Sequence, residues 1–198
     1  MYTDSFYSNK SFSIISVLQR RPQAVAVIEG SENNPHISGV LKLYQTNCGV
    51  IVRSEVRGLP ETDSSCGGRI FAFHIHEGTE CSGNMQDPFS GSKSHYNPKN
   101  CEHPYHAGDL LPLFSNNGYA FSVFLTNRFL VSEVIGKTVI IHDHPDDFTT
   151  QPSGNSGSKI ACGIIRRNNS GGCWNKMSHK IRSPLKLLEI AVLGGFCW

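Results

Sequence analysis

The sequence predicts an all-β protein built as an antiparallel sandwich or barrel. Three observations lead to this class: several short segments alternate in the manner of strands, turn residues separate them, and no convincing long helix accompanies them. The composition agrees, because 19 glycines and 10 prolines with only 17% charged residues favour a turn-rich fold over a helical bundle. A chain of 198 residues suffices for one domain with short appendages.

Seven segments carry the strand pattern, and each is bounded by a turn or a loop. They are residues 24–28, 37–46, 50–56, 69–76, 119–126, 137–142 and 159–166. The second and third are joined by a short hairpin connection at Asn47-Cys48-Gly49. In the fourth, Phe71 and Phe73 share one face while His74 and His76 share the other, because side chains two apart in a strand point the same way.

Two polar loops interrupt the strand pattern. Residues 77–118 hold Gly, Ser, Asn, Pro, His and Cys with little periodicity, and residues 144–158 form a second loop. A loop of roughly forty residues inside a compact domain is exceptional and usually functional. We therefore expect a metal or a disulfide to order the first loop.

The two ends of the chain differ from the strand-rich body, residues 22–167. Residues 1–21 are predicted to be a flexible lead-in that lacks the features of a signal peptide, so a cytoplasmic location is expected. Residues 168–198 form a basic tail with a short predicted helix over 185–196, which is either loosely docked or directed to a membrane surface or a partner. No apolar run is long enough for a transmembrane helix.

Charge is distributed unevenly along the chain. The formal net charge is +2, but residues 166–198 hold six Lys or Arg and one Glu. The remaining residues hold twelve basic and fifteen acidic side chains, so the body carries a negative net charge. The body is therefore not expected to bind nucleic acid.

Cysteine and histidine are the unusual counts. The seven cysteines are Cys48, Cys66, Cys81, Cys101, Cys162, Cys173 and Cys197, and none forms a C-x-x-C pair. This spacing excludes zinc-ribbon and thioredoxin-like sites, and the odd number leaves at least one thiol without a partner in the same chain. Seven of the nine histidines fall between residues 74 and 144, which indicates a metal site.

The candidate ligands stand in four short motifs. They are His74-x-His76, His95-Tyr-Asn-Pro98, His103-x-x-His106-Ala-Gly-Asp109 and His142-x-His144-Pro-Asp146-Asp147. A single histidine is more often an ordinary polar side chain than a ligand, but six histidines and one aspartate at strand ends and in one loop favour a metal centre. Imidazole suits zinc and copper, and a set that adds one carboxylate suits zinc.

These motifs, in this order, resemble the copper/zinc superoxide dismutase family. The resemblance rests on Phe73-His-Ile-His-Glu-Gly78, His95-Tyr-Asn-Pro98, His106-Ala-Gly-Asp-Leu110, Val139-Ile-Ile-His142 and Gly154-Asn-Ser-Gly-Ser-Lys-Ile-Ala-Cys-Gly163. It covers residues ~23–167 and implies an eight-stranded antiparallel Greek-key barrel or sandwich of immunoglobulin-like architecture.

The resemblance also implies a role for each candidate residue. Copper would be held by His74, His76, His95 and His142, and zinc by His95, His103, His106 and Asp109. His95 would then bridge the two ions and take part in catalysis. Asp146 would link a copper-bound imidazole to a zinc-bound one, and Cys81 and Cys162 would form a disulfide between the long loop and the last strand.

Three departures from the family pattern are visible. Lys159 stands where the family usually has an arginine beside the copper, so the charge that attracts an anion is kept while the planar fork is lost. The connections from His103 to His106 and from His142 to Lys159 are both shorter than in the better-known members. Thr149 and Thr150 are candidate channel residues in the second connection, and His144 is interpreted as a surface residue.

The resemblance implies a superoxide dismutase, an antioxidant oxidoreductase that converts superoxide to dioxygen and hydrogen peroxide by Cu(II)/Cu(I) cycling. The alternative is a non-catalytic metal-binding or copper-buffering member of the same fold, since a fold does not fix a function. Superoxide is the expected small-molecule partner. A second copy of the chain and a copper chaperone are the protein partners considered.

Overall fold

The computed structural model describes residues 13–61 and 68–169. These residues form two short α-helices, one 3₁₀ turn at Ser90–Ser92 and ten strands. The helices are α1 (Ile14–Leu18) and α2 (Val131–Val134); the strands are β1 (Ala24–Gly30), β2 (Ser38–Thr46), β3 (Gly49–Arg57), β4 (Ile70–Phe71), β5 (Phe73–His76), β6 (Leu113–Phe114), β7 (Ala120–Thr126), β8 (Thr138–His142), β9 (Lys159–Ile164) and β10 (Arg166–Arg167).

The main sheet is antiparallel and has the order β5-β8-β9-β1-β2-β3-β7, with β10 also paired to β1. Strand β1 lies between β2, its neighbour in sequence, and β9, which comes from the far end of the domain. Connections of this kind are typical of a Greek key, and the predicted all-β antiparallel class is confirmed. Strands β4 and β6 form a separate two-stranded sheet.

The core follows the period of two that the strand pattern predicts. In β1, Ala24, Ala26 and Ile28 are buried while Val27 between them is exposed. The same cluster takes Phe71, Phe73 and Ile75 from the β4–β5 segment. The side of β5 that faces away from this core therefore carries its histidines.

The structure differs from the predicted elements in three places. The predicted strand 69–76 divides after Phe71, because β4 pairs with β6 while β5 pairs with β8. Strand β6 lies within the segment 77–118, which was predicted to be all loop. Helix α1 lies within the predicted lead-in, where Val17 packs against Tyr44 and Ile51 on the outer face of the sheet.

The chain divides into one unit of Met1–Asn168 and a second of Asn169–Trp198. The predicted C-terminal helix lies outside the described residues, as do Cys66, Cys173 and Cys197. The predicted domain boundaries at 21 and 167 stay a prediction. Within residues 13–61 and 68–169, no helix is long and apolar enough to cross a membrane.

Candidate metal centre

Two adjacent strands supply three of the clustered histidines. His74 and His76 lie on the face of β5 opposite the core residues Phe73 and Ile75, and His142 ends the neighbouring strand β8. All three histidines are buried. This face is therefore covered rather than solvated, and the long loop provides the cover.

The long loop adds to the sheet by pairing with the free edge of β5. Ile75 donates its backbone N–H to the Gly108 carbonyl at 2.8 Å and accepts the Tyr96 N–H at 2.8 Å. A Cβ at position 108 would lie 2.1 Å from the Ile75 carbonyl oxygen, so this approach requires glycine. The pairing sets His95 opposite His76 and Asp109 opposite His74.

The first ligand group consists of His74, His76, His95 and His142, whose ligand atoms lie within 4.8 Å of one another. His76 donates its Nδ1–H to the Lys93 carbonyl at 2.8 Å, and His142 donates its Nδ1–H to the Gly157 carbonyl at 3.3 Å. In these tautomers both Nε2 atoms carry lone pairs, yet they lie only 3.3 Å apart. His74 Nδ1 and His95 Nε2 are buried without a hydrogen-bond partner. Four inward-facing lone pairs fit a cation between them.

The second ligand group consists of His95, His103, His106 and Asp109, again with ligand atoms within 4.8 Å of one another. Asp109 Oδ1 lies 2.8 Å from His95 Nδ1 and 3.3 Å from His106 Nδ1, and its Oδ2 lies 3.1 Å from His103 Nδ1. His95 belongs to both groups through different ring nitrogens, because its Nε2 is the unpartnered atom and its Nδ1 meets Asp109. That arrangement suits an imidazolate bridge.

Asp146 connects the two groups through the ring nitrogens that do not face the metal positions. Its carboxylate accepts a hydrogen bond from His74 Nε2 at 2.8 Å and another from His103 Nε2 at 2.8 Å. These bonds fix both rings with Nδ1 directed at the metal positions. The approach of Gly154 permits this geometry, because a Cβ there would lie 2.0 Å from Asp146 Oδ1.

Burial and charge set the protonation states of four of the ligands. Burial lowers the pKa of His74 and His76, and burial together with the neighbouring His74 lowers the pKa of His142 to about 3. Burial alone would raise the pKa of Asp109, but the hydrogen bond with His95 and the nearby imidazoles lower it. At neutral pH His74, His76 and His142 are therefore neutral and Asp109 is ionised, which are the forms that bind metals.

Hydrogen bonding also lowers the pKa of the Asp146 carboxyl. Burial alone would raise its pKa, but the bonds from His74, from the Phe148 backbone N–H and from His103 lower it to about 2.

The ligand atoms of the two groups differ, and this difference indicates which metal each group suits. Four imidazoles suit copper, while three imidazoles and one carboxylate in a closed set of four suit zinc.

The structure brings all seven predicted ligands together in the two groups, and Asp146 hydrogen-bonds His74 and His103. It also contains the Cys81–Cys162 disulfide, with a Cα–Cα distance of 5.7 Å. Of the other described cysteines, Cys48 and Cys101 are free. His144 is a surface residue, as interpreted from the sequence, with a side chain that is 62% exposed.

Two predicted neighbours of the site were placed wrongly. Thr149 and Thr150 do not line the cleft at the first ligand group, because both bond to the Asp147 carboxylate instead. Those bonds, chiefly the one from the Thr150 hydroxyl, hold the pKa of Asp147 below its usual range. The threonines therefore shape the turn of the second loop.

Arg128 supports the site structurally, and the sequence analysis missed it. It lies between β7 and α2, and its Nη1 donates to the carbonyls of Pro104, His106 and Asp109 at 2.8, 3.3 and 3.3 Å. One guanidinium thus holds the backbone of the short loop that carries the second ligand group. No local pattern around residue 128 indicates this role, because the contact spans about twenty residues of sequence.

A cleft of about 500 Å³ opens onto the first ligand group. Its lining includes four ligand histidines and three charged residues, which are His76, His95, His106, His142, Glu77, Lys93 and Lys159. Lys159 lies opposite His142 in the pairing of β9 with β8. A small anion could therefore reach the histidines from solvent.

Comparison with known proteins decides the family. The model of the copper/zinc superoxide dismutase (SODC) family matches residues 37–165. The chain belongs to the copper/zinc superoxide dismutase family. Superoxide dismutase Cu-Zn 2 of Aquifex aeolicus is 32% identical over 145 residues, which cover 66% of this chain and 80% of that protein.

Some proteins similar to this chain are named superoxide dismutase-like rather than superoxide dismutase. Superoxide dismutase-like protein YojM of Bacillus subtilis is 32% identical over 117 residues, covering 52% of this chain and 58% of that protein. The crystal structure of a double mutant of a SOD-like protein from Bacillus subtilis is 28% identical, with a TM-score of 0.59, and the match covers 72% of this chain and 96% of that one. The Cu/Zn superoxide dismutase from Brucella abortus is 20% identical, with a TM-score of 0.60 and coverage of 71% and 98%, and this likeness shows the fold alone.

Proposed function

We propose that the protein is a superoxide dismutase that binds copper in the first ligand group and zinc in the second. The observation that carries the proposal is His95, a single buried imidazole with one ring nitrogen in each group. A protein that needed only one metal would have no use for two complete ligand sets joined in this way. Family membership supports the same assignment.

Bound copper would supply one-electron chemistry, by which one superoxide is oxidised to dioxygen and a second is reduced to peroxide. The chain's own residues hold and orient this chemistry. His74, His76 and His142 are fixed by hydrogen bonds to Asp146, Lys93 and Gly157, so their lone pairs face one point. His95 Nε2 faces the same point and, when it is not a ligand, is the atom at which this chain can hold a proton.

Zinc serves a structural role in this proposal, because it has no accessible second oxidation state. His103, His106 and Asp109 would fix it, and through it the orientation of His95. The long loop is also tied down by the Cys81–Cys162 disulfide and by its backbone pairing with β5. With the hydrogen bonds from Arg128 to the loop carbonyls, the chain holds the second ligand group through three separate restraints.

The test combines metal analysis with activity on one sample. Protein loaded with copper and zinc should contain about one of each per chain and should dismutate superoxide. Loss of activity in copper-free, zinc-loaded protein would support the copper assignment. Full copper and zinc occupancy with no dismutation would contradict the proposal and favour the copper-buffering alternative. Dimerisation, a copper chaperone, a cytoplasmic location and the part played by Lys159 stay predictions.

A further inference from the structure

The first and second ligand groups are called the copper group and the zinc group from here on. Two lysines line the cleft at the copper group, and their surroundings differ. The ammonium of Lys159 lies 2.8 Å from Asp87 Oδ2 and 3.2 Å from the Phe89 carbonyl oxygen, and its side chain is 15% exposed. The ammonium of Lys93 is exposed and forms no ion pair with any residue in the described ranges. Lys159 is thus half of a neutral pair, whereas Lys93 presents a full positive charge.

The cleft also contains a negative charge, which makes the difference between the two lysines important. Glu77 is exposed, lines the same cleft and forms no ion pair within residues 13–61 and 68–169. The Lys159–Asp87 pair adds no net charge, so Glu77 and Lys93 are the uncompensated charged side chains of the cleft. Without Lys93 the uncompensated charge of Glu77 would remain, and the cleft would attract a small anion less strongly.

The backbone at Lys93 indicates that its side chain has a use. Its φ of 60° and ψ of −146° lie in a region that glycine adopts readily and other residues avoid. The conformation is imposed from both sides, because Lys93 ends the Ser90–Ser92 turn and its carbonyl accepts the His76 Nδ1–H. Glycine would fit this backbone with less strain, so the lysine side chain is present here at a conformational cost.

We propose that Lys93, rather than Lys159, determines the attraction of the anionic substrate into the cleft, while Asp87 holds Lys159 as a neutral pair. This inference rests on the proposed function, because superoxide is the anion in question. A fixed cation at the mouth of a cleft raises the local concentration and the association rate of an anion. Salt screens that attraction.

The test uses the copper- and zinc-loaded protein and five variants: Lys93→Gly, Lys93→Arg, Lys159→Ala, Asp87→Asn and, as a control for net charge, Lys42→Ala on β2. Two quantities are measured over a range of ionic strengths, the dismutation rate and the dissociation constant of azide, a small anion that binds Cu(II). Metal content and thermal stability are measured on every sample.

Lys93→Gly should lower the rate and weaken azide binding by about two- to tenfold at low salt, and should remove most of the salt dependence. Its stability should equal or exceed that of the wild type, because the backbone strain is relieved. Lys93→Arg should restore both quantities. Lys159→Ala should have a smaller effect than Lys93→Gly, and Asp87→Asn should strengthen azide binding by freeing the charge of Lys159.

The inference is overturned if Lys93→Gly behaves like Lys42→Ala, or if Lys159→Ala removes the salt dependence that Lys93→Gly leaves in place. A failure of the proposed function has a different signature. In that case the wild type would not dismutate superoxide, while azide binding would still follow the predicted order of the variants.

Discussion

The two ligand groups of the metal centre are built from different kinds of backbone. Three of the four copper-group histidines lie on β5 and β8, which are hydrogen-bonded in register within the main sheet. All four zinc-group residues lie within the single loop segment 95–109. The loop is held from outside, by its pairing with β5, by Arg128 and by the disulfide.

This difference indicates which parts of the metal centre should be ordered before the metals bind. Strand positions are fixed by the sheet and its core, so the strand-borne part of the copper group should persist in the metal-free protein. Loop positions depend on a few separate contacts, so the zinc group should be sensitive to each of them. The following predictions sharpen that contrast, from the largest expected effect to the smallest.

Removing a strand-borne ligand should destroy one function and spare the other site. His142→Ala should abolish copper-dependent activity, a loss of at least about 10³-fold, while zinc remains bound because His142 belongs only to the copper group. Activity and both metal contents are measured together. The matched control is His144→Ala, an exposed histidine two residues away, which should keep full activity. Full activity in His142→Ala would show that the copper ligands are misassigned.

Removing the disulfide should weaken the loop more than the sheet. Cys162→Ser should lower the free energy of unfolding by ~4–5 kcal/mol in the chain-entropy model, because the bridge spans 81 residues of sequence. Denaturant unfolding measures the loss, and hydrogen exchange should show it first in the loop that contains Cys81. Cys101→Ser, which alters a free cysteine, is the control and should change stability little. Equal losses in both variants would contradict this account.

Acid should destabilise the metal-free protein through the copper group. The pKa values of His74, His76 and His142 are lowered by burial, so the unfolded chain binds protons below pH 6.5 while the folded chain does not. Stability should therefore fall as the pH drops from 6.5, and His142, whose pKa in the folded protein is about 3, should contribute about 2 kcal/mol of that loss at pH 5. Denaturant unfolding at several pH values checks this. A flat profile between pH 7 and 5 would show that the histidines are not buried in the metal-free state.

Removing a loop-borne ligand should act on zinc first. Asp109→Ala should weaken zinc binding by at least about 100-fold, and its loss should raise hydrogen exchange in the segment 95–109. The control Glu32→Ala removes an exposed carboxylate between β1 and β2, outside both groups, and should leave zinc affinity unchanged. Chelator competition measures the affinity. Unchanged zinc binding in Asp109→Ala would remove this residue from the zinc group.

Arg128 offers the most selective change to the loop. Arg128→Gln should weaken zinc binding by about tenfold, because three loop carbonyls lose their shared donor while no ligand is removed. Copper affinity should change less, and Arg128→Lys should restore part of the zinc affinity. Arg57→Gln, on the exposed end of β3, is the control. Equal losses of copper and zinc would mean that Arg128 supports the whole fold rather than the loop.

The sequence predicts the strand-borne part of this molecule better than the loop-borne part. All seven predicted strand segments contain strands, because the alternation of Ala24, Ala26 and Ile28 or of Phe71, Phe73 and Ile75 records burial directly. The same alternation placed His74 and His76 on the face away from the core. Periodicity of this kind is local, so it can be read from a single chain.

The features that the sequence analysis did not predict are mostly contacts between residues far apart in sequence. Arg128 on the loop carbonyls, Asp87 against Lys159, and β6 paired with β4 all depend on how the chain folds back. The pairing of Cys81 with Cys162 came from the family resemblance, since seven cysteines allow many pairings. Helix α1 is only five residues long, which is too short for a helical period to be recognised.

The most direct test of the central claim, two different metals joined by one histidine, is a crystal structure of the loaded protein with anomalous data at the copper and zinc absorption edges. The account predicts copper among His74, His76, His95 and His142, zinc among His95, His103, His106 and Asp109, and His95 in contact with at least the zinc in every redox state. A single metal position, or the same element at both, would contradict it.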